Sequence, residues 1–257
     1  MRNTMKPFKL LFLAVLCLLA GPLLAQSENY ETFRVHEDVV KPSKVSDYEA
    51  VAKEFLGNLK KYNIQDMNFI VTNTDDNRYL YVSPLENMAE LDNPLFRTLS
   101  EKMGKDALVA LFQKMDKCYD TEQDYILHLD KELTYMPSGI TQTPEGRDYR
   151  KFHYLWVSPS NRDAVREKMK AITELFASKG SKEYYRVYRS GFGVRGEFYM
   201  VAVAAKDELE SAQLSMDNSK LLGDEGKKAF DALFSSLLKY EQVSGRMRPD
   251  LYYQPAN

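Results

Sequence analysis

Between Tyr30 and Val40 the side chains alternate, with Phe33, Val35, Glu37 and Val39 on one face and Arg34, His36, Asp38 and Val40 on the other. That period of two is the mark of a strand. Pro42, which has no N–H to donate, ends the pairing. The period then changes: Tyr48, Ala52, Phe55, Leu59 and Tyr62 recur at steps of four and three, the apolar stripe of a helix lying on a sheet. Ser46 with Glu49 three residues on predicts a capping box at its start. Residues 67–73 and 78–82 predict a hairpin around the polar turn 74–77. A helix broken at Asn93-Pro94 follows and runs through Leu99, Met103, Leu108, Leu111 and Met115, and residues 125–136 predict a closing strand.

After a polar linker at 141–147 (TQTPEGR) the order returns. Residues 150–157 predict a strand, and Val165, Met169, Ile172 and Phe176 a helix. Residues 184–189 and 197–204 predict a hairpin, 205–240 a mostly helical stretch, and 251–254 a short last strand. The two passes align by sequence. Pro42-Ser43 falls on Pro159-Ser160 and His36 on His153, both 117 residues apart, while 78–82 falls on 197–201 at 119. Each pass closes on Leu-x-Tyr-x-Pro, at Leu133, Tyr135 and Pro137 and at Leu251, Tyr253 and Pro255. A nearly constant offset over ordered matches predicts one module written twice, with a first module at 26–140 and a second at 141–257.

Residues 1–25 fall outside both. Arg2, Lys6 and Lys9 precede the apolar run 10–24, and Ala25 precedes a polar stretch, a pattern that predicts a cleaved signal peptide and an exported protein, periplasmic or secreted. Without it, 32 Lys and Arg (35 less Arg2, Lys6 and Lys9) face 37 Asp and Glu. This mildly acidic, mixed balance argues against nucleic acid and against an anionic membrane surface as partners. Of the two cysteines only Cys118 would remain, so no internal disulfide holds the exported chain and its cores must.

The βαββαβ order of each module is the ferredoxin-like arrangement, a four-stranded antiparallel sheet with both helices on one face. The bare face of each sheet is too apolar to stay in water, and pairing the two sheets removes the problem. The expected fold class is therefore α+β, two ferredoxin-like modules closing a pseudo-dimeric α/β barrel within one monomeric chain. On topology, helix stripes and duplication the chain resembles the tandem form of the dimeric α/β-barrel superfamily, in the manner of the NIPSNAP-like and stress-responsive barrel proteins. That resemblance implies a fold. The superfamily holds cofactor-free monooxygenases of polycyclic phenols, haem enzymes, lactone isomerases and proteins without known chemistry, so activity has to come from the site.

His36 and His153 are the candidate catalytic residues, since they are related by the repeat and lie on the same face of equivalent strands. Two imidazoles meeting near a pseudo-twofold axis would bind metal or haem or carry protons; otherwise each is an ordinary strand histidine. His128 has no counterpart. Trp156, Tyr185, Arg186, Tyr188, Tyr79 and Tyr81 are the candidate ligand-binding residues, aromatic and cationic side chains on predicted strands; the plainer reading is a β core with high aromatic propensity. Gly191-Phe-Gly193-Val-Arg-Gly196 matches G-x-G-x-x-G but lies between two strands, where a dinucleotide site needs strand then helix, so it reads as a flexible hairpin. No HExxH or CxxC pair is present, so no metal site is assigned, and haem has no motif to support it. The expected function is the binding of a small apolar or aromatic ligand in a barrel pocket. The alternatives are a barrel-type oxygenase or haem-binding enzyme and a non-catalytic scaffold for a partner.

Overall fold

The structure, a computed structural model, describes residues 30–256. The predicted signal peptide lies outside the described residues. Eight strands form one closed antiparallel barrel, in the order β1-β3-β2-β8-β5-β7-β6-β4. They are β1 (Tyr30–Val40), β2 (Ile70–Thr74), β3 (Arg78–Pro84), β4 (Tyr119–Asp130), β5 (Tyr149–Val157), β6 (Tyr185–Ser190), β7 (Glu197–Ala205) and β8 (Lys239–Met247). Helices α1 (Val45–Tyr62), α2 (Arg97–Met103) and α3 (Lys105–Met115) cover the outer face of the first half. Helices α4 (Arg162–Lys179) and α5 (Glu208–Phe234), the latter kinked at Gly223, cover the second. Each half has the strand order of a ferredoxin-like sheet, β4-β1-β3-β2 and β8-β5-β7-β6, and the expected α+β pseudo-dimeric barrel is what forms.

Alternation sorts the side chains into three cores. Phe33, Val35, Leu80, Leu127, Phe152, Tyr154 and Met200 fill the barrel interior. Val71, Tyr79 and Phe69 pack outward on α1 and α3 with Tyr48, Phe55 and Leu111. Leu155, Val187, Tyr199 and Val203 pack outward on α4 and α5 with Met169, Ile172, Phe176 and Leu233.

The registers match across the halves. His36 pairs with Tyr81 and His153 with Val201, and Val71 pairs with Tyr81 as Val187 does with Val201. The β3/β7 offset is thus 120, where sequence alignment gave 119; a one-residue slip in a strand exchanges the faces. Two short seams of three residue pairs join the halves, β4 to β6 (Leu127 opposite Ser190) and β8 to β2 (Gly245 opposite Thr74). Both bring backbones too close for a side chain. A Cβ on Gly193 would meet the carbonyl oxygen of Asp124, and one on Gly245 that of Asn73. The glycine-rich 191–196 stretch is therefore pinned rather than flexible: Gly191 N–H donates to Ile126 O and Ile126 N–H to Phe192 O, both at 2.8 Å.

Three elements differ from expectation. The closing strands are β4 and β8, which begin earlier and stop short of the Leu-x-Tyr-x-Pro segments. Those segments instead cross to the other half. Tyr135 pairs with Tyr185 and Tyr253 with Phe69, and Leu133 packs in the second outer core while Leu251 packs in the first. Their hydroxyls satisfy carbonyls exposed where the first helix of that other half ends: Tyr135 donates to Ser181 O at 3.1 Å, and Tyr253 to Leu59 O and Ile64 O at 3.0 and 2.9 Å. The capping box is absent, because α1 begins at Val45 with no side-chain cap. Glu49 instead accepts from Tyr79 Oη at 2.7 Å and pairs with Arg248 on the far end of the chain.

Candidate functional site

Both candidate histidines point outward, toward the helices, each in its own half, so the barrel does not bring them together. Their neighbours set opposite chemistries. His36 lies 3.2 Å from Asp38 Oδ1 through Nε2 and 3.4 Å from Asp124 Oδ2 through Nδ1. Burial works against its charge, but the hydrogen bonds and charges of Asp124 and Asp38 prevail and hold the pKa up at about 10. The positions that carry Asp38 and Asp124 in the first half carry Leu155 and Gln242 in the second. Without the acids, burial and then Lys151 push His153 down to about 4, so its imidazole is neutral at physiological pH. Its Nδ1 shares a 2.6 Å hydrogen bond with Tyr240 Oη.

His36, Asp38 and Glu122 bring three potential ligand atoms within 4.8 Å of one another. The imidazolium itself already supplies the positive charge among these carboxylates. Asp38 is held further by Tyr48 Oη at 2.6 Å, which also bonds Tyr81 Oη at 2.9 Å.

His153 stands on the wall of a cavity of about 180 Å³ between the second half of the barrel and its helices. Leu155, Tyr185, Val201 and Val203 form its floor, Met169, Ile172 and Phe176 of α4 one side, and Phe230, Leu233 and Phe234 of α5 the other. The few polar groups are His153, Tyr240, Thr173, Glu183 and Ser215. Thr173 Oγ1 and Tyr185 Oη bond one another at 3.0 Å, and burial pushes the Glu183 carboxyl up, toward its neutral form. This room has a local cause: Val201 occupies the register position of Tyr81, whose ring packs into the first-half core.

Of the other candidates, Tyr185 alone joins His153 here. Tyr79 is buried in the first-half core and Tyr81, half-buried, packs against it. Trp156 packs inside the barrel on Phe198, 5.0 Å between ring centroids, and donates from Nε1 to Glu241 at 2.5 Å. Arg186 and Tyr188 face a second, smaller space in the barrel interior. His128 faces outward at the first seam, 3.0 Å from Thr32 Oγ1. Sequence reasoning missed Tyr240, because a strand at 239–247 was not foreseen, and Phe230 and Phe234, whose periodicity is that of ordinary packing.

Haem does not fit the space as it stands. An apolar cavity near 150 Å³ holds one benzene, and a macrocycle of four linked five-membered rings is several times that volume.

No family model matches the sequence, and no curated protein matches it. Solved structures do. An anthrone oxidase-like protein superposes with a TM-score of 0.59 at 12% identity, over 85% of this chain and 91% of its own. A candidate monooxygenase from Fusobacterium nucleatum subsp. nucleatum gives 0.52 at 12%, over 84% and 92%. Another from Lactobacillus acidophilus gives 0.50 at 9%, over 84% and 93%. At these identities the likeness is one of fold, and it agrees with the closed eight-stranded barrel.

Proposed function

We propose that the protein binds a small, neutral, apolar molecule of about one aromatic ring, bearing one hydrogen-bonding group, in the cavity beneath α4 and α5. The observation that carries this reading is a cavity of about 180 Å³ whose walls are mostly aliphatic and aromatic, with a neutral imidazole on one side. Its size falls below the roughly 300–1,000 Å³ of drug-sized pockets and close to that of one benzene. The His153–Tyr240 pair offers the polar contact, either donating or accepting as the tautomer requires.

Val201→Phe tests it. It places a ring where the first half already carries Tyr81. Phenol and indole should raise the melting temperature of the native protein saturably and leave that of V201F unmoved. A native protein indifferent to both, or a V201F protein that binds as well, removes the reading.

A second reading has the same pocket oxygenate its ligand. It is supported by the character given to the three fold neighbours and by the imidazole–phenol pair on the wall. The volume favours a one-ring phenol over a three-ring anthrone. Oxygen uptake that depends on such a phenol and falls in His153→Gln would support it; uptake equal to a protein-free control would end it.

We also read the chain as an exported monomer with its ligand site in the second of two duplicated modules. The N-terminal pattern supports export, and the matched registers and exchanged Leu-x-Tyr segments support duplication.

A further inference from the structure

A second cavity, of about 50 Å³, lies inside the barrel, away from the helices and from His153. Two guanidiniums face it. Arg150, the second residue of β5, is 1% exposed, and Arg186, the second residue of β6, is 3% exposed. Buried arginines are normally matched by carboxylates, because an unpaired buried charge is costly. Here every acceptor is a backbone carbonyl, and among the described residues neither side chain makes an ion pair. Arg150 donates to Arg147 O, to Tyr149 O at 3.0 Å and to Gln142 O at 3.0 Å. Arg186 donates through Nη1 to Thr141 O at 2.5 Å and Gln142 O at 2.8 Å.

These bonds leave donors over. Arg186 Nε is buried without any partner, and so is the hydroxyl of nearby Tyr252. The two cations also feel one another: burial, and then the charge of Arg186, push Arg150 down to about 10. The linker between β4 and β5 crosses this end of the barrel. Gln142 lines the space and accepts from Tyr188 Oη through its side chain, so the linker is at once roof and partial counter-dipole. A carbonyl dipole satisfies an N–H, but it does not neutralise a charge. The remaining walls are apolar except for Thr72, whose hydroxyl donates to Met247 Sδ, and include Phe33, Leu127, Phe152 and Met200.

From two unpaired buried guanidiniums, an orphaned Nε–H and largely apolar walls in a space with room for about three heavy atoms, we infer that the barrel interior is a binding site for a monocarboxylate the size of formate. The carboxylate would take the free donors of Arg186 and Arg150, a geometry guanidinium forks suit, and its C–H would face the apolar wall of Phe152 and Met200. This site is separate from the cavity beneath α4 and α5, and it stands whether or not that cavity binds its ligand.

The test is equilibrium dialysis of the native protein with labelled formate, alongside inorganic phosphate, with thermal melts at matched ionic strength. Saturable 1:1 uptake of formate is expected, with a melting temperature that rises and then levels off. Arg186→Gln keeps a donor but loses the charge, and should weaken uptake at least about tenfold. Should R186Q fail to fold, the Nε–H signals of Arg150 and Arg186 in the native protein give the same answer, since added formate should shift both. Phosphate uptake without formate uptake would overturn the carboxylate assignment. A stabilisation that grows linearly with any salt, Nε–H signals that stay in place, or a folded R186Q that binds formate as well as the native protein would each leave the arginines as clamps on the linker and overturn the site.

Discussion

The two histidines give opposite pH dependences, and the alkaline one is the sharper test. His36 has its pKa raised to about 10 in the folded protein, against about 6.5 unfolded. Below pH 6.5 both states hold the proton and its stabilisation is fully present. Between 6.5 and 10 the unfolded state gives the proton up while the folded state keeps it, so stability falls as pH rises. Unscreened, the limiting cost is about 1.36 kcal/mol per pH unit, or about 2.3 kcal/mol from pH 6.5 to 8.5, since at 6.5 the unfolded imidazole is still half protonated. The His36 side chain is 34% exposed and Asp124 49% exposed, and Arg34 Nη2 already holds Asp124 at 2.7 Å. Solvent screening and that competition reduce the expected loss to about 1 kcal/mol. Urea unfolding at pH 6.5, 7.5 and 8.5 in a Cys118→Ser background reads it directly, since it stays below the range where tyrosines titrate and removes the thiol, which ionises at about 8.5 in the unfolded chain. His36→Gln should flatten the profile, and the His36 ring protons should show a midpoint above pH 8.5 by NMR. A native profile already flat, or a slope that survives in H36Q, would refute the charged imidazole.

Three further substitutions bear on how the halves are joined. Gly193 sits at φ +94° where an added Cβ would clash with the Asp124 carbonyl oxygen, so Gly193→Ala should cost about 3 kcal/mol through strain and displacement of the β4 backbone, measured as a fall in the urea midpoint. Asp130 is fully buried at the end of β4, pairs with Arg166 on α4 and accepts from Leu133 N at 3.2 Å; Asp130→Asn should cost about 2–3 kcal/mol, less than a wholly buried pair because Arg166 is 25% exposed and keeps Glu132. Tyr253→Phe removes the side-chain donor to Ile64 O, while Leu59 O keeps the Ile64 N–H at 3.2 Å, and should cost about 1 kcal/mol, with faster amide exchange at the end of α1 as its local signature.

Much of the fold was legible in the sequence because six strands bury both faces or alternate cleanly and three helices carry unbroken stripes. β4 and β8 were misplaced for a shared reason. Each pairs with one neighbour along its whole length but with the other only at its end, β4 with β6 at 127–129 and β8 with β2 at 245–247. The first half of β4 is thus a one-sided edge, mostly in water, and carries Asp120, Glu122, Gln123 and Asp124 where a pattern search wants apolar residues. The candidate site was half legible. That His36 and His153 share a face was right, but a closed barrel turns that face outward on opposite halves, so equivalence in sequence became separation in space. The cavity was hidden because it depends on Val201 standing opposite Tyr81, a comparison that needs the true register. Arg150 passed unnoticed as the polar start of a strand, although it shares its face with Phe152, Tyr154 and Trp156.

The halves share one strand order but differ in the side chains around each histidine, and that difference can be put to a test. Around His36 the first half places Asp38, Glu122 and Asp124; the corresponding positions around His153 hold Leu155, Tyr240 and Gln242. If those neighbours, and not the barrel as a whole, set the charge of each imidazole, then Gln242→Asp should restore half of the acidic pair to the second site. Gln242 lies directly across β5–β8 from His153, as Asp124 lies across β1–β4 from His36. A carboxylate at that position favours the imidazolium, and the His153 midpoint should climb from about 4 to above 6.5 in an NMR titration. The charge would then stand on the wall of the apolar cavity, so phenol and indole should lose affinity at pH 5.5 and regain it at pH 8. A midpoint that stays near 4 in a folded Q242D protein would show that burial alone governs His153, and the contrast between the two halves would need another cause.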